Sequence, residues 1–340
     1  MAAINIGVIG AGRIGNIHAQ NLVTRIPNAQ VRAIADINLV AAERVGTQFG
    51  VQMITADHHE LLNDALIDAV VICSATATHT QMIMDSAAAG KHIFCEKPID
   101  FDLARIDQAL RAVEEAKVKL QIGFNRRFDP GFRRVRQMIA DGKIGDPHIL
   151  RITSRDPEPP PLDYVKASGG IFLDMTIHDF DMARYLIGSE VTQVYTAGAV
   201  LVDAKIGELG DLDTALITLH FENGVIGAID NSRKAVYGYD QRIEVFGSQG
   251  LLSAGNETPD RHVYSNTDGV HGPLPLYFFL ERYTESYVAE LQSFVDSVVN
   301  DTTPEVTGID GRIPVVIGLA ARRSYDEKRP VRLDEIELTN

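Results

Sequence analysis

Cysteine is scarce. The 340 residues contain only Cys73 and Cys95, too few for a disulfide framework. Each sits in an apolar run, so both are expected as buried, reduced thiols. No Cys/His spacing resembles a zinc site, so no metal is expected. The adjacent His58 and His59 fall in a polar stretch and are expected to be solvated. No apolar run reaches the roughly 18 residues that a membrane span needs. Positive charge is also short: 32 Lys and Arg stand against 46 Asp and Glu, a formal net charge of −14. Such a surface repels nucleic acid and anionic membranes, and neither is expected as a partner. No basic segment with a long apolar stretch and cleavage site precedes the first strand pattern, so a cytoplasmic location is expected. Internal repeats are absent, and the only biased tract is the proline-rich loop at 156–161.

The composition, 45% hydrophobic and 23% charged, is that of an ordinary globular protein, and the length suggests two domains. Continuous apolar runs at 4–9, 30–35, 69–75, 92–95 and 120–124 alternate with helical patterns at 13–25, 39–49, 78–89 and 102–117. That alternation predicts parallel strands joined by right-handed crossovers, with both sheet faces covered. The character changes near Phe124. A basic helical stretch at 130–140 and a helix at 173–187 lead into β-type segments at 191–202, 213–221, 225–231, 241–247 and 262–265. Short turns between them predict a mostly antiparallel sheet. Helices are expected again at 278–299 and 310–326. The expected organisation is therefore an α/β Rossmann domain over 1–124, followed by an α+β domain over 125–340 that binds substrate and supports oligomerisation.

Three clusters carry chemistry. Gly10-Ala11-Gly12-Arg13-Ile14-Gly15 follows an apolar strand and opens a helix, the required context for a dinucleotide fingerprint. Gly10 permits the turn, Gly12 admits the pyrophosphate, Gly15 lets helix and strand pack, and the helix N-terminus faces the phosphates. Asp36 ends the second strand at the spacing of a ribose-binding acid. Its charge repels a 2′-phosphate, and Ile37 and Asn38 supply no arginine, so NAD is expected over NADP. The second cluster, Glu96-Lys97-Pro98, ends the fifth strand, while Ser74, Thr76 and His79 follow the fourth; strand carboxyl ends are where ligands bind in open α/β sheets. The third cluster is Asp174, His178 and Asp181. On a continuous helix these share one narrow face among apolar neighbours, where an unused charge is costly; the alternative is a solvated polar stripe.

Together the fingerprint, Glu96-Lys97-Pro98 and Asp174-x-x-x-His178 resemble the Gfo/Idh/MocA oxidoreductase family over essentially the whole chain. Segments 168–181 and 237–242 are similar to its inositol 2-dehydrogenase branch. The resemblance implies oxidation of a polyol hydroxyl, that at C2 of myo-inositol, with NAD in inositol catabolism; scyllo- or D-chiro-inositol or an aldose are the alternatives. It implies a catalytic set of Lys97, Asp174 and His178. Polyol contacts are implied from Arg127, Asp181 and Tyr237, with Asn125 and Tyr239 as further candidates. Ser154 stands where a substrate-facing histidine occurs in some inositol dehydrogenases, and Asp156 is the candidate to compensate. A tetramer is also implied. A non-catalytic dinucleotide-binding sensor, a role of some relatives, would be free to lose Lys97 or His178, and both are present.

Overall fold

The computed structural model describes residues 3–337, which form two compact units. The first is built on β1 (Ile4–Ile9), β2 (Ala29–Ala35), β3 (Met53–Thr55), β4 (Ala69–Ile72), β5 (His92–Glu96) and β6 (Leu120–Gly123). Every pairing is parallel and the order is β3-β2-β1-β4-β5-β6. The crossovers are α1 (Arg13–Thr24), α2 (Leu39–Phe49), α3 (His58–Leu62), α4 (Thr76–Ala88) and α5 (Leu103–Ala116). Ile6, Val8, Val70 and Val71 are wholly buried, which is why the strands read as unbroken apolar runs. Local signals place the helix starts. Asp102 accepts the N–H groups of Ala104 and Arg105 at the head of α5, and Asn38 accepts that of Ala41 at α2. The order reverses between β1 and β4, which puts the ends of β1 and β4 at the point where such sheets receive a ligand. Both cysteines are free thiols, and burial first, then the Glu96 charge, pushes each up.

The first unit runs through Phe128 and also takes in Glu285–Ile313. Leu291, Phe294 and Val295, from the helix Thr284–Val299, pack into the same core as Val8, Leu22 and Phe94. The expected division at 124/125 places that helix in the second domain, whereas it packs with the first unit. Its apolar stripe marks it as buried, but sequence order does not say against what. His58 also departs from expectation: its Nε2 lies 2.9 Å from Asp85 Oδ2 and its ring packs on His59.

One feature of this unit couples its stability to pH. Glu290, on that returning helix, is fully buried beside His18 and Glu96, and neither of its carboxyl oxygens has a hydrogen-bond partner. Burial first, then the Glu96 charge, pushes its carboxyl well above the usual 4.5. The folded pKa is raised, so this contribution to stability is complete below the unfolded value and is lost as pH rises through the folded one. Thermal unfolding between pH 5 and 9 should show a Tm that declines with pH in the wild type and declines less in Glu290→Gln. Parallel slopes would remove Glu290 from that dependence.

The second unit comprises Asp129–Thr284 and the chain from Pro314 onward. It opens with α6 (Pro130–Ala140), whose cap Asp129 accepts Phe132 N–H and pairs with the buried Arg282. Next come β7 (Pro147–Arg155), α7 (Leu162–Ala167), α8 (Gly170–Asp174) and α9 (Ile177–Ile187). The strands β8 (Val191–Ala199), β9 (Thr214–Phe221), β10 (Ile226–Ser232), β11 (Asp240–Gly247) and β12 (Gly250–Ala254) follow. After a two-stranded hairpin, β13 (Tyr264–Asn266) and β14 (Gly269–His271), β15 (Val331–Arg332) completes the main sheet. Its order is β12-β11-β7-β10-β9-β8-β15, antiparallel throughout except for β7 beside β10. The sequence pattern missed β7. Its buried residues Leu150, Ile152 and Ser154 alternate with the less buried Arg151, Thr153 and Arg155, so it is half polar and reads as a loop. The predicted helix 278–299 is likewise two helices, Phe279–Arg282 and Thr284–Val299. Among the described residues no helix is long and apolar enough to cross a membrane.

Candidate active site

In the first unit the glycine loop folds tightly under β4. Gly10 has φ +100°, and a Cβ there would lie 2.6 Å from the Cys73 carbonyl carbon and the Ser74 nitrogen. A Cβ on Gly15 would fall 1.9 Å from the Gly10 carbonyl oxygen. Gly12 differs: it is exposed, and a Cβ there meets nothing within 4 Å. Its missing side chain serves no contact inside the protein and leaves space above the backbone. No side chain caps α1, so its first-turn N–H groups face that space uncapped; Arg13 is exposed there, and Ile14 is half-buried. An open backbone cradle at an uncapped helix N-terminus fits a dinucleotide pyrophosphate. Ser74 lies against Gly10, its hydroxyl shared with Thr78, and Thr76 opens α4, which is also uncapped.

Asp36 is anchored to this loop. Its Oδ2 accepts Ala11 N–H at 2.6 Å and its Oδ1 accepts Asn38 N–H at 2.8 Å. Each oxygen keeps a further lone pair for a ribose hydroxyl. Arg44, six residues beyond Asn38, also reaches this loop: its Nη2 lies 3.4 Å from the Ala11 carbonyl. The expected discrimination against a 2′-phosphate therefore falls to the Asp36 carboxylate. Asp36→Ser alone, without an added arginine, should raise kcat/KM for NADP relative to NAD by about tenfold or more, roughly 1.4 kcal/mol of discrimination. An unchanged ratio in steady-state assays would show that Asp36 does not discriminate.

Lys97 follows β5 directly, is half-buried, and its peptide bond to Pro98 is cis. The side chains of His79 and Glu96, expected near the cofactor, make hydrogen bonds within the first unit. His79 is buried, with Nδ1 2.8 Å from the Pro98 carbonyl and Nε2 3.0 Å from the Ser74 carbonyl. Burial holds its imidazole below the ordinary value, against the pull of those two carbonyls. It ties the end of β4 to the turn after Lys97. Glu96 turns away as well: its Oε1 lies 2.6 Å from Nε2 of the buried His18. On the short helix Asn125–Phe128, Asn125 is buried and its Nδ2 has no hydrogen-bond partner, so a donor remains for a ligand. Arg127, also buried, gives one nitrogen to Asp310 at 2.9 Å. Burial raises the Asp310 carboxyl, and Arg127 with Thr307 more than offsets this, holding it below its usual range.

In the second unit the predicted continuous helix is broken. α8 ends at Asp174 and α9 begins at Ile177, with Thr176 donating to the buried Asn231 at 2.6 Å. Asn231 in turn donates to Asp179 at 2.8 Å, so this wholly buried acid is structural. Asp174 and His178 therefore do not stand one regular turn apart. Both are half-buried, while Asp181 is buried. The Asp174 carboxylate is held from two sides: Oδ1 accepts from the Tyr164 hydroxyl at 2.8 Å and Oδ2 from Arg233 Nη1 at 2.9 Å. Asp156 lies 3.7 Å from the same Arg233 nitrogen.

The hydroxyls of Ser154 and Tyr237 both have partners within the second unit. Ser154 is fully buried and donates to Gln241 at 3.0 Å, so it faces the interior. The Tyr237 hydroxyl donates to Asp240 at 2.6 Å and accepts from Arg155 at 3.0 Å. Sequence reasoning missed Tyr164 and Arg233. Tyr164 lies just past the proline loop, and Arg233 sits in the polar run Asn231-Ser232-Arg233-Lys234, which reads as a surface turn.

A parallel dinucleotide-type sheet followed by a broad mixed sheet defines a two-domain Rossmann oxidoreductase. Residues 4–124 match the oxidoreductase family with an NAD-binding Rossmann fold, and residues 132–253 match the GFO/IDH/MocA C-terminal domain. The chain belongs to the GFO/IDH/MocA oxidoreductase family. It is 50% identical to the myo-inositol 2-dehydrogenase of Thermotoga maritima, over 98% of this chain and 99% of that one. The crystal structure of a probable dehydrogenase from Thermotoga maritima superposes with a TM-score of 0.96 at 50% identity, covering 98% of this chain and 100% of that one. Scyllo-inositol dehydrogenase from Lactobacillus casei, solved with bound NAD(H) and scyllo-inositol, gives a TM-score of 0.92 at 31% identity, covering 98% of this chain and 99% of that one.

Proposed function

We propose that this chain is an inositol 2-dehydrogenase that oxidises the C2 hydroxyl of myo-inositol to the ketone, scyllo-inosose, within inositol catabolism. The observation that carries the reading is its 50% identity, along almost the whole of both chains, to a myo-inositol 2-dehydrogenase. NAD bound at the glycine loop and Asp36 supplies the hydride acceptor. His178 takes the hydroxyl proton, since imidazole is the side chain whose ordinary pKa lies nearest neutrality. Lys97 carries the positive charge that stabilises the developing alkoxide. Asp174 orients His178 and balances its charge once protonated. Asp156, Asp181, Arg127 and Asn125 are assigned to the remaining ring hydroxyls, as acceptors and donors; a polyol needs many such bonds and little apolar surface.

The test is NADH absorbance with purified protein, NAD and a panel of inositol isomers and aldoses. Myo-inositol is expected to give the highest kcat/KM. A higher value for scyllo-inositol, D-chiro-inositol or an aldose reassigns the substrate, and no turnover with any of them supports a dinucleotide-binding sensor. We further propose a cytoplasmic homotetramer. One face of the second unit's sheet exposes Tyr195, Leu216, Ile226 and Phe246, an apolar set suited to self-association. Sedimentation of a single 37.2 kDa species would overturn the assembly.

A further inference from the structure

We propose that Arg233 is a positioning residue of the dehydrogenase site: its buried guanidinium fixes Asp174 as a fully ionised partner and keeps His178 neutral, ready to accept a proton. This rests on the functional reading above. Arg233 is only 2% exposed, although it lies in a loop directly after β10. Its use of its donors sets it apart from the ion pairs that staple the same unit. Arg184 grips Glu190 with Nε and Nη2 at 2.6 and 2.7 Å, and Arg155 grips Asp230 at 2.8 and 2.7 Å. Those forks are bidentate. Arg233 instead offers one nitrogen, Nη1, to Asp174 at 2.9 Å and to Asp156 at 3.7 Å, and its Nε and Nη2 have no hydrogen-bond partner. A buried guanidinium left half-unpaired is a poor stabiliser, because desolvation is not repaid by hydrogen bonds. Its placement is explained by what it holds.

What it holds is the charge balance around Asp174. Three carboxylates face this guanidinium from different elements: Asp174 at the end of α8, Asp156 after β7 and Asp211 before β9. Asp211 spends one oxygen on the N–H of Ile171. Tyr164, from α7, completes the shell by donating to the other Asp174 oxygen. Burial, then the negative charge of Asp174, pushes the Tyr164 phenol far above its ordinary range, so it remains a donor at every working pH. Arg233 pairs with Asp174 through Nη1 at 2.9 Å. With it in place, Asp174 keeps the geometry of a hydrogen-bond acceptor while part of its charge is offset. Without it, the three carboxylates lose the guanidinium they face and stabilise the imidazolium form of His178 more strongly, so that the base would begin the reaction already protonated.

The experiment compares wild type, Arg233→Gln and Arg233→Lys by kcat/KM against pH with NAD and myo-inositol, with NAD affinity and circular dichroism measured on each. Arg233→Gln is expected to lower kcat at pH 7 by about tenfold or more and to move the acid limb of the profile up by about one pH unit or more, the sign expected when a cation beside the base's partner is lost. Arg233→Lys restores the position of the acid limb, because it restores the charge, and recovers only part of kcat, because a point donor replaces a planar one. A fall in kcat with no movement of the acid limb in Arg233→Gln leaves only a structural role and overturns the proposal. Should that variant not fold, NMR titration of the His178 ring in wild type decides. A ring still neutral at pH 7 is expected, and one protonated there overturns the proposal. Wild-type protein with no activity on any polyol would instead defeat the functional reading.

Discussion

His178→Ala should lower kcat for myo-inositol oxidation by about 10²–10⁴-fold, the usual cost of removing a general base, and leave NAD affinity unchanged. Lys97→Ala should lose a comparable factor, since a charged donor at a developing alkoxide is among the larger catalytic terms. The two effects should not multiply. A proton leaving a hydroxyl and the charge that stabilises the resulting oxygen act on one transition state, so either loss alone removes most of what both supply. Single-turnover rates for Lys97→Ala, His178→Ala and the double variant form the test, with NAD affinity and folding checked for each. Wild-type turnover in His178→Ala removes that residue from the mechanism. Fully additive losses would mean that Lys97 and His178 serve separate steps.

The parts of this fold that a sequence shows are those fixed by local periodicity and turn chemistry. β1, α1 and Asp36 were legible because a buried parallel strand is continuously apolar, a phosphate loop needs its glycines, and the acid must end the next strand. β7 was not legible: it alternates charged and apolar residues beside a proline. The helix Thr284–Val299 was legible as a helix, but its return to the first unit depends on contacts hundreds of residues away, which periodicity does not carry. At the site, residue type identified Lys97, Asp174 and His178 as candidates for chemistry. It did not show that the side chains of His79 and Glu96 turn to the Pro98 carbonyl and to His18, because position after a strand constrains the backbone and not the rotamer. Arg233 escaped for the opposite reason: an arginine in a polar turn is expected in water, and only the structure shows it buried against Asp174.

Gly15→Ala should be the most damaging single-methyl change in the first unit, and Gly12→Ala should be nearly silent for folding yet costly for cofactor binding. The added Cβ at position 15 would stand 1.9 Å from the Gly10 carbonyl oxygen and 3.4 Å from the Cys73 side chain. Neither the oxygen nor the helix carrying position 15 is a flexible tip, so relief requires moving α1 off β1. Overpacking of a well-packed interior costs about 1–3 kcal/mol and more where backbone must shift. At roughly 2–4 °C per kcal/mol for a unit of this size, Tm should fall by about 10 °C. At position 12 the same methyl meets no protein atom within 4 Å. The backbone there is extended, with φ −70° and ψ −161°, which alanine adopts without strain. Any loss must then come from the ligand that approaches that backbone. The expected result is an unchanged Tm without cofactor and a KM for NAD raised by about tenfold or more, with kcat at saturating NAD much less affected. Differential scanning calorimetry of the cofactor-free variants, paired with NAD titration, separates the two. If Gly12→Ala binds NAD as wild type does, the pyrophosphate does not lie over this loop. If Gly15→Ala melts with wild type, then α1 and β1 tolerate a separation that the packing of Gly10 against Gly15 excludes.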